Sequence, residues 1–137
     1  MGKKKILLVE DNETDEAMVR RALEVAKIDV EIEVARDGAA ALLALERPGA
    51  VLPALVILDI KLPKVTGHEV LYAIRNHQST LYVPVVILSS SAEDLDIRAA
   101  YEAGCSGYVQ KPVDAEEFIE AVGALGRYWV CVNRGPE

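Results

Sequence analysis

The stretch Leu55-Val56-Ile57-Leu58-Asp59-Ile60-Lys61-Leu62-Pro63 decides the fold. Four apolar residues in a row, with no polar alternation, are the pattern of a strand buried on both faces. Asp59 ends that run. A carboxylate in such a place is costly unless it stands at the mouth of the fold, where something uses it. Working outward, two other runs end in the same manner. Ile6-Leu7-Leu8-Val9 is closed by Glu10-Asp11, and Gly107-Tyr108-Val109-Gln110 by Lys111-Pro112.

Apolar runs at 6–9, 30–35, 55–58, 83–88 and 107–109 read as strands. Glu31 and Glu33 make the second one alternate, as on an edge strand. Between the runs lie stretches with helical spacing. Met18, Val19, Ala22, Leu23 and Ala26 mark the first, 40–45 the second, and Val70, Leu71 and Ile74 the third. Leu95, Ala99 and Ala103 mark a weaker fourth; Phe118, Val122, Leu125 and Trp129 mark the fifth. Asp37-Gly38 is a turn signal, Gly104 a helix end, and Asp114 with Glu117 a capping-box pattern. Ser91 is a candidate cap for the fourth helix. Strand and helix alternate five times, which predicts an α/β fold with a five-stranded parallel sheet and helices on both faces.

The 137 residues make one ordinary domain, and the 51% hydrophobic content is enough to bury a core. A net charge of -7 argues against non-specific nucleic-acid binding, so no nucleic-acid partner is expected. No apolar run approaches the roughly 20 residues of a membrane span, so no membrane partner is expected. The basic lead-in Met1-Gly2-Lys3-Lys4-Lys5 precedes too short an apolar run for a signal peptide and reads as a solvated approach to the first strand. Cys105 and Cys131 form no metal-binding pattern, and a reduced, cytoplasmic protein fits best.

Ligands of such sheets bind at the carboxyl ends of the strands, near a switch in strand order. Asp11, Asp59, Ser89 and Lys111 all fall at such ends. Mg2+ favours one or two carboxylates plus water and phosphate oxygens, which Glu10, Asp11 and Asp59 suit. Asp59, ionised at neutral pH, can attack a phosphoryl group, with the Lys111 ammonium and Ser89 hydroxyl on its oxygens. Taken singly, each residue has a plainer reading as a cap, a solvated face or a loop. Their joint placement at the ends of the first, third, fourth and fifth strands makes the plain readings poor.

Those residues sit in the strings LLVEDN (7–12), ILDIKLPKVTG (57–67), PVVILSSSA (84–92) and GYVQKP (107–112). In this order and spacing the chain resembles the receiver domain of two-component response regulators over nearly its whole length. The resemblance implies a doubly wound, CheY-like (βα)5 fold with strand order 2-1-3-4-5. It makes Asp59 the phosphorylation site and Glu10, Asp11 and the Lys61 backbone carbonyl further metal ligands, with Mg2+ as cofactor. Ser89 becomes the switch hydroxyl, Tyr108 the aromatic switch and Lys111 the phosphate-binding lysine, with the bond before Pro112 expected in cis. The partner implied is a histidine kinase, and no enzymatic activity beyond self-phosphorylation and slow autodephosphorylation is expected. Phosphorylation is expected to shift a population of states, altering a surface of the fourth and fifth helices and fifth strand.

The segment 47–53 and the ending Arg127-Tyr128-Trp129-Val130-Cys131-Val132 are similar to stand-alone receivers that serve bacterial phytochrome kinases. The expectation is therefore one domain over 1–137, whole in itself, with a bacteriophytochrome as kinase. Tyr128, Trp129, Val130 and Val132 are very apolar for a free terminus. The extension 128–137 either folds back on its own domain or enters a homodimer contact, the latter being favoured. Two other functions compete. An aspartate-nucleophile phosphatase normally has a second Asp two positions on, where Lys61 stands. A flavodoxin-like cofactor module needs a phosphate loop, where this chain has the acidic 12–16. Whether the chain delivers an output or serves as a phosphorelay sink stays open.

Overall fold

Side chains of a strand point alternately to opposite faces, so a continuous apolar run demands cover on both sides. That cover is present. The strands β1 (Lys5–Val9), β2 (Glu31–Ala35), β3 (Leu55–Leu58), β4 (Val85–Ser89) and β5 (Gly107–Gln110) form one parallel sheet in the order β2-β1-β3-β4-β5. The helices are α1 (Glu13–Val25), α2 (Gly38–Glu46), α3 (Gly67–Arg75), α4 (Asp94–Ala103) and α5 (Ala115–Gly126). Leu7, Val9, Val56, Leu58, Val85 and Ile87 pack with Ala41, Leu45, Val70, Leu71 and Ile74 of α2 and α3. Their neighbours Ile6, Leu8, Leu55, Ile57, Val86 and Leu88 pack with Val19, Leu23, Phe118 and Val122 of α1 and α5. This computed structural model describes residues 3–136; Met1, Gly2 and Glu137, the ends of the lead-in and of the 128–137 extension, lie outside the described residues.

The order reverses at β1 and β3, and register brings their ends level. Val9 is paired with both Ala35 and Leu58, so Glu10 and Asp59 emerge side by side. Ser89 is paired with Gln110, which sets Lys111 beside the end of β4. The expected strand order and layering are those observed.

Several local expectations need correction. Lys5 is not solvated: it lies buried in β1, its Nζ 2.9 Å from Glu33 Oε1 on the edge strand β2. The fourth strand starts at Val85, because Pro84 has no N–H for the ladder and the Val83 N–H already donates to the Thr80 carbonyl. The α4 spacing is out of phase: Leu95 is 77% exposed, and Ala100 is the residue that α4 buries. Ser91 is not the α4 cap. Glu93 holds that position, and the Ser91 Oγ accepts from the Glu93 N–H while donating to Asp96 Oδ2. Asp114 does cap α5 through the Glu117 N–H, but the reciprocal box closes at Thr66 and Glu69, ahead of α3. Every described peptide bond is trans, Lys111–Pro112 included; the X–Pro amide prefers trans by only about 0.5–1 kcal/mol, so surrounding packing decides the isomer.

Beyond Gly126 the chain keeps coiling as π-helical turns over Arg127–Val132. Gly126 permits close docking on α1, since a Cβ there would stand 2.5 Å from Leu23 Cδ2. The extension thus folds back in part on its own domain. Val130 is only 6% exposed within the α1–α5 core, Trp129 is half-buried against it, and Tyr128 and Val132 remain exposed. Val130 is thus packed within its own domain.

Candidate functional site

Two strand ends and the first turn of α1 each bring a carboxylate to one ammonium. Lys111 Nζ stands 2.9 Å from Glu10 Oε1, 2.9 Å from Asp59 Oδ2 and 2.7 Å from Asp15 Oδ2. Backbone bonds hold the lysine and both inner acids in place. The Glu10 N–H donates to the Ala35 carbonyl, the Asp59 N–H to the Val9 carbonyl and the Lys111 N–H to the Ser89 carbonyl. Asp59 Oδ1 accepts the Lys61 N–H at 3.0 Å, and Glu10 Oε2 the Asn12 N–H at 3.2 Å. Glu10 and Asp59 are 2% and 8% exposed, whereas Asp11 lies at the surface.

Burial alone would lower the pKa of Lys111. The carboxylates of Asp15, Glu10 and Asp59 outweigh it and hold the ammonium well above its ordinary range. Burial likewise raises the Glu10 carboxyl, and the Lys111 hydrogen bond opposes this. Lys111 therefore stays charged throughout the physiological range. Its charge is what allows so many carboxylates to share one partly buried cleft.

The turn after β3 closes tightly over Asp59. The Gly67 N–H donates to the Ile60 carbonyl, and a Cβ at Gly67 would lie 2.5 Å from the Asp59 carbonyl oxygen. Only glycine lets α3 begin so near the acid. Ser89 is fully buried, its Oγ accepting the Ser91 N–H at 3.2 Å. The Tyr108 hydroxyl donates to the Ser91 carbonyl at 2.8 Å. A bonded path therefore runs from Ser89 through Ser91 to Tyr108 on β5 and Asp96 on α4.

The structure brings Glu10, Asp59 and Lys111 into direct contact and places Ser89 on the neighbouring strand end. Asp11 flanks the cluster, and Lys61 touches Asp59 through its N–H rather than its carbonyl. Tyr128, Trp129, Val130 and Val132 belong to the extension, away from the strand ends. Sequence reasoning missed Asp15. Its only signal is its place in the first turn of α1, four residues after Asp11.

Among the described residues, no three acidic, histidine or cysteine side chains already surround one common metal position; the carboxylates face the ammonium instead. The donors nevertheless suit a hard dication: the carboxylate oxygens of buried Glu10 and Asp59 with the surface carboxylate of Asp11 beside them.

The response regulator receiver domain family matches over residues 6–123. The probable methanogenesis regulatory protein FilR2 of Methanothrix harundinacea is 42% identical over 134 residues, covering 96% of this chain and 86% of that protein. Response regulator Rcp1 of Synechocystis is 34% identical over 131 residues, covering 93% and 89%. A crystal structure of the Mn2+-bound form of response regulator Rcp1 is similar at a TM-score of 0.89, with 33% identity and 98% and 99% coverage. The phosphorylated form of RcpA, a cyanobacterial phytochrome response regulator, matches at a TM-score of 0.92, with 32% identity over 99% of this chain and all of that one. With the family matched along most of the chain and the fold shared almost end to end, this protein belongs to the response regulator receiver domain family, the phosphorylation-switched modules of two-component signalling.

Proposed function

We propose that Asp59 accepts a phosphoryl group from the phosphohistidine of a histidine kinase. The observation that carries this is the direct Asp59–Lys111 contact at 2.9 Å, at the mouth of the sheet. The acid is almost fully buried, and its cationic partner is already within reach. An Asp59 carboxylate oxygen forms a bond to phosphorus as the histidine N–P bond breaks. The imidazole nitrogen leaves with the bonding pair and takes up a proton. Lys111 and the Ser89 hydroxyl then bond the phosphoryl oxygens. Mg2+, held by Glu10, Asp11, Asp59 and the Lys61 carbonyl, would supply the further positive charge that the transferring group needs.

The kinase is of phytochrome type, in line with the likeness to RcpA, and the phosphoryl transfer takes place in the cytoplasm. Moving Ser89 towards the phosphoryl group pulls on Ser91, and through it on Tyr108 and Asp96. The α4–β5–α5 surface is thereby reset for a protein partner. Exposed Tyr128 and Val132 on the extension provide a contact for a homodimer.

The test is intact mass after incubation with Mg2+ and acetyl phosphate. One phosphoryl adduct is expected, dependent on Mg2+ and abolished by Asp59→Asn; an adduct indifferent to that substitution would sink the assignment. Native mass of the same sample reads association, and a monomer at micromolar concentration excludes the dimer.

A further inference from the structure

We propose that Asp15 is a positioning residue that holds the Lys111 ammonium on the α1 side of the site and competes for it with the incoming phosphoryl group. The inference rests on the reading of Asp59 as phosphoryl acceptor. Of the three carboxylates on Lys111 Nζ, that of Asp15 is the nearest, at 2.7 Å against 2.9 Å for each of the others. It differs from them in kind. Glu10 and Asp59 leave adjoining strands, and their side chains are almost fully buried. Asp15 projects from the first turn of α1 with its side chain 26% exposed, and its backbone N–H is pinned at 3.0 Å to the Asn12 cap.

A dication held by Glu10 and Asp59 would compete with Lys111 for two of its three partners. The third stands outside that set and keeps its charge for the lysine. The ammonium is thus held towards the α1 side of the site, and a phosphoryl group on Asp59 competes with Asp15 for its position. The charge-assisted bond to Asp15 is of the strong class, so releasing it opposes the phosphorylated state. Asp15 thereby sets how readily the phosphorylated arrangement forms. Asp15→Asn removes the charge with little change of shape.

The decisive measurement is the affinity for beryllofluoride, a stable phosphoryl mimic, read from backbone amide shifts at saturating Mg2+ in four proteins: wild type, Asp15→Asn, Lys111→Ala and the double variant. Separate Mn2+ titrations of each fix what saturating metal means. Asp15→Asn should bind beryllofluoride about three- to tenfold more tightly, on the order of one charged hydrogen bond released. Most of that gain should vanish in the Lys111→Ala background, which separates competition for the lysine from direct repulsion of the anion. In metal-free protein the Lys111 Nζ protons should exchange faster in Asp15→Asn, and Asp15→Glu should restore slow exchange. Unchanged or weaker binding in Asp15→Asn, or an equal gain without Lys111, overturns the proposal. Wild type that binds no beryllofluoride at all overturns the parent reading of Asp59 along with it.

Discussion

Helices α1 and α5 on one side and helix α4 at the other edge are held to the same sheet by different forces. The first pair buries Val19, Ala22, Leu23, Phe118 and Val122, and Gly126 lets the backbones approach closely. Helix α4 buries Ala100, packs Ala103 in part against the same cluster, and is tied further by polar links. Ser91 Oγ donates to Asp96 Oδ2 at 2.5 Å, Tyr108 bonds the Ser91 carbonyl, and His68 Nε2 lies 3.4 Å from the Asp96 carbonyl. Apolar burial has no alternative partner to move to. A hydrogen bond does, and its net contribution is only about 1 kcal/mol. The α1–α5 side is therefore framework. The α4 edge is the side that a new bond at Ser89 would displace under the proposed function, since Ser91 links it to Asp96 and Tyr108.

The harshest trial of this contrast is Phe118→Ala. It should cost about 3–5 kcal/mol of stability by urea unfolding, through lost burial and the cavity left behind. A loss below about 1 kcal/mol would remove the framework side of the comparison. Asp96→Ala should cost no more than about 1 kcal/mol, because water can replace the partner it removes. It should nonetheless speed hydrogen exchange in the α4 amides while leaving those of α1 protected. A loss equal to that of Phe118→Ala would make α4 framework too.

The smallest effect is expected at the edge strand β2, where an ion pair supplements the packing. The Lys5 ammonium beside Glu33 holds its carboxyl below the ordinary 4.5, against the opposing effect of burial, and Arg47 adds to the lowering. A carboxyl lowered in the folded state binds fewer protons there than when unfolded. Its stabilisation is complete above the unfolded value and is lost as pH falls through the folded one. Wild type should exceed Glu33→Gln by up to about 1 kcal/mol at neutral pH, and the gap should close in acid. A gap that persists below the carboxylate range would assign the effect to packing.

The response to phosphorylation also depends on this division. Tyr108 and Ser91 lie on the displaceable side, whereas Asp59 and Glu10 are anchored to the central strands by backbone bonds. On the reading proposed above, Asp59 would stay still while the Ser91–Tyr108 links move.

Much of this was legible in residue order. Unbroken apolar runs such as 6–9 and 55–58 read as strands covered on both faces, and five strand-like runs, the second alternating, separated by amphipathic stretches leave few folds other than a doubly wound sheet. Acids and a lysine at strand ends reveal a site, because charge at the close of an apolar run is costly elsewhere. Other features lay beyond its reach. Asp15 reads as an ordinary first-turn helix acid until the return of β5 sets Lys111 against it, 96 residues later in the chain. Lys5 reads as a solvated lysine until Glu33 arrives from the neighbouring strand. The spacing of Leu95, Ala99 and Ala103 does not give the face of α4 that packs, because Ala100 is what the sheet buries. Gly67 is visible in the sequence, but the reason for it, a carbonyl 2.5 Å from where a Cβ would stand, is not. Periodicity and strand-end charge are local, so the sequence by itself determined the elements, their layering and the chemical type of the site. Which charges meet, which helix is loosely held and where the extension lies depend on contacts between distant residues, and only the tertiary structure decided them.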